Sequence, residues 1–327
     1  MFKAIYVDRV DEAYSSRLVE LDEQSLPEGE VKVAVGHSTL NYKDALAITG
    51  KGPVMRKFPM VAGIDFAGTV LESQDQRFSL GQPVLATGWG LGEDYWGGLA
   101  QRARVPADWL TPIPEPLNSH AAMALGTAGF TAMLCVQALQ KQGVTPDKGP
   151  VVVTGATGGV GSVAVYLLAK RGYEVVASTG HTDDEGYLRM LGAGDIIDRQ
   201  LLAKPGQPLA KQRWAGAVDV AGGHTLANIC ASMRHGGVVA ACGLAESMEL
   251  HTSVAPFILR GVQLIGINSV YCPAADRQKA WQQLATDWDP AIFFEVIQTI
   301  GLADTIAKAG DLLGGKIRGR IVVDVNA

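Results

Sequence analysis

Seven residues, Gly155-Ala156-Thr157-Gly158-Gly159-Val160-Gly161, stand between the apolar run Val151-Val152-Val153-Thr154 and an apolar stripe at Val160, Val163, Ala164, Leu167 and Leu168. The stripe falls at i, i+3, i+4, i+7 and i+8, one face of a helix, and the run before it has the unbroken apolar character of a strand buried on both faces. A glycine turn between strand and helix brings bare backbone and unbonded helix N–H groups to one point, where the aligned peptide dipoles favour a phosphate. In GxGxxG register the turn reads Ala156-x-Gly158-x-x-Gly161, with alanine in place of the first glycine, and it predicts the pyrophosphate of a dinucleotide. NAD-binding chains carry Asp or Glu about 20 residues further on, for the ribose 2′-hydroxyl. Here the next predicted strand ends Ala177-Ser178-Thr179-Gly180-His181, with no carboxylate before Asp183. Two hydroxyls and a cation welcome a 2′-phosphate that an acid would repel, so NADPH is expected over NADH. Arg199 is the expected cation and His181 a weaker one; the plainer reading makes Arg199 a solvated surface charge.

Other chemistry is disfavoured by what the chain lacks. Its 327 residues carry a formal net charge of −5, which argues against a non-specific nucleic-acid binder. Cys135, Cys230, Cys242 and Cys272 lie far apart with no CxxC spacing. They read as reduced, mostly buried thiols of a cytoplasmic protein rather than disulfides or a zinc site. No apolar run is expected to reach the roughly 18 to 20 residues of a bilayer span. The start, Met1 to Val7, reads as a strand rather than a signal peptide.

The length suggests about two domains. The first 120 or so residues are strand-rich. Lys3–Asp8, Glu30–Ser38, Ala67–Ser73, Pro83–Gly88 and Leu99–Val105 form the expected strands, with no βαβ rhythm, and a small twisted antiparallel barrel is predicted. Past Pro116 a helix from His120, capped by Ser119, and a second over Thr131–Gln142 are expected. Strands then alternate with helices: Val151–Thr154, Tyr173–Ser178, Asp195–Asp198, Ala217–Ala221, Val238–Cys242 and Gln263–Asn268, with a helix over Asp184–Leu191. Six such strands predict a doubly wound parallel sheet, an α/β fold. A helix over Arg277–Thr286 and a last strand, Gly319–Asp324, follow; that strand has no helix after it and is expected to return to the first domain.

Several runs carry a resemblance over nearly the whole chain: Leu40-Asn41-Tyr42-Lys43-Asp44-Ala45-Leu46, Gly63-Ile64-Asp65-Phe66-Ala67-Gly68, Gly126-Thr127-Ala128-Gly129-Phe130-Thr131, Ala240-Ala241-Cys242-Gly243-Leu244 and Pro256-Phe257-Ile258-Leu259-Arg260. The sequence resembles the acrylyl-CoA reductase family, in the quinone-oxidoreductase-like branch of the medium-chain dehydrogenase/reductase superfamily. The resemblance implies a GroES-like barrel domain over 1–120 and 270–327 and a Rossmann NADPH-binding domain over 121–269. Zinc alcohol dehydrogenases of this superfamily place a cysteine ligand where Asn41 stands and a histidine where Ile64 stands, and neither replacement suits zinc. A zinc-independent reduction of an activated C=C bond is therefore implied, acrylyl-CoA to propionyl-CoA, with hydride to the β-carbon and a proton to the α-carbon. A quinone or enone reductase is the alternative, and a non-catalytic NADPH-binding protein a third reading.

The resemblance also assigns roles. Tyr42 orients the substrate or delivers the proton, against the plainer reading of a packed or hydrogen-bonded tyrosine. Asn41 donates its amide to the substrate carbonyl, or holds the loop; Asp44 reads equally as a helix N-cap, and Lys43 as a surface charge. Tyr42, Thr157, Gly158, Gly159 and Val160 are implied at the cofactor and its phosphates. Ser178, Thr179, Gly180 and Arg199 are implied at the 2′-phosphate, and Leu244, Ile258 and Ser269 at the nicotinamide end. Thr127 joins them, with a helix cap as its plainer reading, as core packing is for Leu244 and Ile258. Where relatives often carry arginine after the Thr-Gly turn, this chain has His181. The CoA phosphates are left to Lys51, Arg56, Lys57, Arg318 or Arg320, without a choice among them. A homodimer is implied, formed over the edge strand Gln263–Asn268.

Overall fold

The computed structural model describes residues 1–10 and 13–327. The chain divides into two compact units, Met1–Thr127 with Ser269–Ala327, and Ala128–Asn268. In the first unit the central strand Val31–Thr39 alternates buried Val31, Val33 and Val35 with half-buried Lys32 and Ala34, as the period of two requires. It pairs antiparallel with Asp65–Ser73 on one side, and on the other with Arg102–Val105 along its first half and the terminal strand Arg320–Asp324 at its end. The last strand does return to this unit, with Val322 opposite Thr39, because its apolar Ile321, Val322 and Val323 need cover that the chain end cannot otherwise supply. Ile297–Gly301 adds a parallel neighbour at that edge, and Pro83–Thr87 continues the other side from Asp65–Ser73. The core between these strands is built on Val31, Val33, Phe66, Val84, Leu99 and Ile321.

Several elements of this unit depart from the sequence reading, the strand Ile297–Gly301 and the helix Pro290–Val296 among them, and three more bear on the site or the sheet edge. Ala13–Leu21 is a strand, hairpinned to Phe2–Val10 with Phe2 opposite Leu21 and Arg9 opposite Tyr14. Its polar composition hides it, because neither face is deeply buried. Tyr42–Thr49 is a helix rather than a loop, ended by Gly50 in the left-handed region at φ 67°. Thr305–Leu313 is a second helix the sequence reading passed over.

In the second unit the parallel sheet, among the described residues, runs in the order Asp195–Asp198, Val175–Thr179, Val151–Thr154, Trp214–Asp219, Met233–Ala241, Gln263–Gly266. This is the doubly wound arrangement, with the chain reversing direction across the sheet at Val151–Thr154. That strand is one of the two central strands, and Val151, Val152 and Val153 are all fully buried. The helix Gly159–Lys170 follows it.

Between the first strands and this sheet lies one helical stretch, Ser119–Lys141, interrupted at Gly126 (φ 50°, ψ −156°). The break thus falls five residues ahead of the second helix expected at Thr131. By length and apolarity this 23-residue stretch passes for a bilayer span, which corrects the expectation that no run is long enough. Its scattered polar residues, such as Thr127 and Gln137, hide that apolarity from a search for unbroken runs. Of its most apolar window, 78% is buried inside the protein, as a core helix requires.

Candidate cofactor and active-site residues

In the second unit the glycine turn is closed on itself. Gly155 takes φ 55°, its carbonyl accepts from Gly158 N–H at 2.9 Å, and Ala156 N–H donates to Ser178 O at 3.1 Å. Thr157 is buried, whereas Gly158, Gly159 and Val160 are half-buried at the N-terminus of the helix Gly159–Lys170. The first-turn N–H groups of a helix have no partner within it, so Gly159 and Val160 present donors at the dipole's positive end, while the Gly158 N–H closes the turn. Behind the turn, Thr154 Oγ1 donates to Asp219 Oδ1 at 2.8 Å and accepts from Val220 N–H at 2.9 Å, tying the ends of two neighbouring strands. Asp219 Oδ2 accepts from Gly222 N–H at 2.8 Å. Burial raises the Asp219 carboxyl above its ordinary range, and these donors oppose that.

The next strand ends where the 2′-phosphate was expected. Thr179 lies opposite Asp198 in parallel register, which carries Arg199 alongside Gly180. A β-carbon at Gly180 would stand 2.6 Å from Arg199 Nε, so the guanidinium lies directly on the glycine backbone. Thr179 Oγ1 accepts from His181 N–H at 3.0 Å and lies 3.3 Å from Thr157 Oγ1. Ser178 is buried, and its Oγ has no hydrogen-bond partner. Arg199 is exposed and, among the described residues, faces no carboxylate within ion-pair distance. The four residues thus fall at the ends of two paired strands, and the exposed Arg199 cation over Gly180 fits an adenosine 2′-phosphate.

Leu244 and Ile258 are also in this unit. They are 58% and 73% exposed, which sets aside core packing for both. Ser269 belongs to the first unit, half-buried, with its carbonyl accepting from Arg277 Nη2 at 3.0 Å.

In the first unit Asn41 caps the helix Tyr42–Thr49, and Asp44 stands at its third position as the partner of a capping box. The N-cap reading of Asp44 is corrected accordingly: Asp44 Oδ2 accepts from Asn41 N–H at 2.8 Å and from Asn41 Nδ2 at 3.1 Å, and Oδ1 from Ile64 N–H at 2.8 Å. Asn41 Nδ2 also donates to Asp65 Oδ2 at 2.8 Å, and Asn41 Oδ1 accepts from Arg320 Nη1 at 3.1 Å. An amide has two N–H donors. Both of Asn41's are spent on carboxylates, so the expectation that it donates to a substrate carbonyl is not met; the alternative, that it holds the loop, describes what it does. Thr127 donates through N–H to Asp65 Oδ2 at 2.8 Å and through its hydroxyl to Asp65 Oδ1. Tyr42 opens the helix beside this frame with 48% of its surface exposed, so it is not the packed side chain of the plainer reading. Lys43 is more than a surface charge, since its Nζ lies 2.5 Å from Oε1 of the buried Glu93.

The frame holds two groups that the sequence reading left without this role. Asp65 is fully buried at the start of an apolar strand, and an acid in such a run was a visible signal. Arg320 was offered to CoA phosphates, but it is buried; Nε donates to Ala124 O at 2.9 Å and Nη2 to Thr39 Oγ1 at 2.7 Å. Burial pushes the Asp44 carboxyl up to about 7, helped by the charge of Asp65, and raises Asp65 as well. Burial lowers Arg320, against the attraction of both acids. Arg277, also buried, donates to Thr87 Oγ1 at 2.7 Å and to Thr87 O at 3.0 Å.

Comparison with known proteins agrees with this architecture. Residues 27–115 match the alcohol dehydrogenase GroES-like domain, and residues 159–287 the zinc-binding dehydrogenase family. The chain is 51% identical over 324 residues to "Probable acrylyl-CoA reductase AcuI" of Escherichia coli (strain K12), covering 99% of this chain and 100% of that protein. It is 49% identical over 330 residues to acrylyl-CoA reductase AcuI of Ruegeria pomeroyi, covering 100% of both. The crystal structure of E. coli K-12 YhdH with bound NADPH superimposes with a TM-score of 0.97 at 51% identity, covering 99% of this chain and 100% of that one. The α/β fold, with a GroES-like domain and a Rossmann-like parallel sheet, is that of the medium-chain dehydrogenases/reductases, and the chain belongs to their acrylyl-CoA reductase family.

Proposed function

We propose that this chain is an NADPH-dependent reductase of acrylyl-CoA, forming propionyl-CoA. Bound NADPH supplies a hydride to the β-carbon of the unsaturated thioester, and a proton completes the α-carbon. The observation that carries the cofactor is Arg199 lying on Gly180, at a strand end with no carboxylate before Asp183. The acyl-CoA rests on two full-length relatives that bear the name acrylyl-CoA reductase.

The turn Thr157, Gly158, Gly159 and Val160 holds the pyrophosphate on helix N–H groups. Ser178, Thr179, Gly180 and Arg199 hold the 2′-phosphate, and Leu244, Ile258 and Ser269 serve the nicotinamide end. Thr127 and Tyr42 complete the cofactor contacts. Tyr42, exposed on a helix whose first turn is bonded into a buried frame, orients the substrate or hands over the proton. The reduction runs without zinc. Asn41 has both amide hydrogens on carboxylates and Ile64 is hydrocarbon, so neither fits a metal whose ligands are thiolate, imidazole and carboxylate. The active form is a cytoplasmic homodimer. The strand Gln263–Gly266, at the edge of its sheet with half-buried Leu264 and Ile265, supports the dimer, and four unbridged cysteines support a reducing compartment.

The test is NADPH oxidation on acrylyl-CoA, crotonyl-CoA and a simple quinone, each with and without a chelator. Fastest turnover is expected on acrylyl-CoA, unchanged by the chelator, with Tyr42→Phe about 10² to 10⁴-fold slower if the phenol gives the proton. Faster quinone turnover would move the assignment to quinone reduction, and tight NADPH binding with no acceptor turned over would make the protein non-catalytic. A monomer in sedimentation at working concentration would reject the dimer.

A further inference from the structure

Three chain segments meet at one buried carboxylate. Asp65 accepts from Asn41 Nδ2, 24 residues before it, and from the N–H and hydroxyl of Thr127, 62 residues after it. Burying a carboxylate costs several kcal/mol unless donors replace its water, so such a group persists where its donors are well placed. Here the backbone itself is bent to supply one. Gly126 breaks its helix at φ 50°, ahead of the Thr127 N–H that bonds Asp65; a β-carbon on Gly126 would stand 2.8 Å from Asp65 Oδ2 and 2.8 Å from Arg320 Nη2. The Asn41 amide has one orientation only. Its oxygen faces Arg320 and its nitrogen faces two carboxylates, and turning it over would set like against like on both sides. Asn41 O then accepts from Ala45 N–H at 3.0 Å, which starts the helix that carries Tyr42.

We propose that Asp65 is a positioning residue for the reduction, joining Asn41 to Thr127 and so setting where the Tyr42 phenol and the Thr127 hydroxyl stand relative to each other. This rests on the reading of Tyr42 as the group that orients substrate or delivers the proton. Asp65 acts through its two partners and touches neither substrate nor cofactor.

Asp65→Asn keeps the size and turns one acceptor oxygen into a donor, facing either Thr127 or Asn41. The expected result is a fall in kcat of about 10- to 100-fold, the range for reacting groups displaced by about 1 Å, with KM little changed. Its effect should also be non-additive with Tyr42→Phe: the double variant is no slower than the slower single one. Effects that multiply, or a loss confined to thermal stability, would overturn the proposal. A second readout does not depend on the acceptor. With 3-fluorotyrosine incorporated and the Tyr42 resonance assigned by its loss in Tyr42→Phe, Asp65→Asn should shift that fluorine signal beyond those of the other tyrosines. An unmoved Tyr42 signal would overturn the proposal even if acrylyl-CoA reduction stands, and a moved one would sustain the positioning even if the acceptor proves to be a quinone. Should Asp65→Asn fail to fold, Thr127→Val removes only the hydroxyl donor and is put through the same cycle and the same fluorine measurement, with the same outcomes deciding.

Discussion

Gly161 lies so close beneath the carbonyl of Gly155 that a β-carbon at Gly161 would overlap that oxygen. The turn and the helix that follows it can be this tight only because Gly161 has no side chain, which is the third role of the glycine fingerprint. Gly161→Ala is therefore expected to push the turn off the helix N-terminus. NADPH affinity should fall at least about tenfold, with a destabilisation of about 1 to 3 kcal/mol for the forced overlap. Fluorescence titration with NADPH and a thermal melt check both, and unchanged binding would show that the turn does not carry the pyrophosphate.

The Arg199 guanidinium on Gly180 predicts the choice between cofactors. A charge-assisted hydrogen bond to a phosphate is worth about 1.5 to 3 kcal/mol, roughly ten- to 150-fold in affinity. Arg199→Ala should weaken NADPH by that factor and leave NADH unchanged. Equal losses for both cofactors would remove Arg199 from the 2′-phosphate. Since the group is exposed, the NADPH preference of the wild type should also shrink as salt is raised.

The Asp44 carboxyl predicts a pH dependence of stability. Burial first, and then the charge of Asp65, push it up to about 7 in the folded chain, from 3.8 for the free side chain. The folded state thus binds this proton more tightly than the unfolded state. The resulting stability is complete below the unfolded value and is lost as pH rises toward about 7. The three N–H groups that Asp44 accepts from act the other way and limit the rise. Urea unfolding across that interval should show stability falling with pH, with one proton less of linkage in Asp44→Asn. Asp65, raised in the same direction, adds to the slope in both proteins. A slope unaltered by the substitution would mean that Asp44 stays ionised throughout.

Legibility followed sequence distance. The strand Val151–Thr154, the turn and the helix Gly159–Lys170 are contiguous, and their apolar spacing alone predicts them within a residue or two. Strand Ala13–Leu21 escaped because its side chains are mostly exposed or half-buried, so no alternation of apolar residues marks it. The helix Tyr42–Thr49 is not legible in full because Asn41, its true N-cap, reads as a substrate contact, while the N-cap reading falls on Asp44, three residues too late.

Local order was written in the chain itself. Periodicity set the two kinds of sheet, the glycine turn set the dinucleotide, and the absence of an acid before Asp183 pointed to a 2′-phosphate. Only the tertiary structure decided what the polar residues of the first unit do. Asn41, Asp65, Thr127 and Arg320 lie up to 279 residues apart, and no spacing in a sequence encodes which buried donor meets which buried acceptor. That pairing is forced when strand packing removes water from Asn41, Asp65 and Arg320, since each must then find its partners among the polar groups packed with it. So Asn41 passed from a donor for substrate to a brace for its neighbour, and Arg320 from a surface cation to the counter-charge of a buried frame.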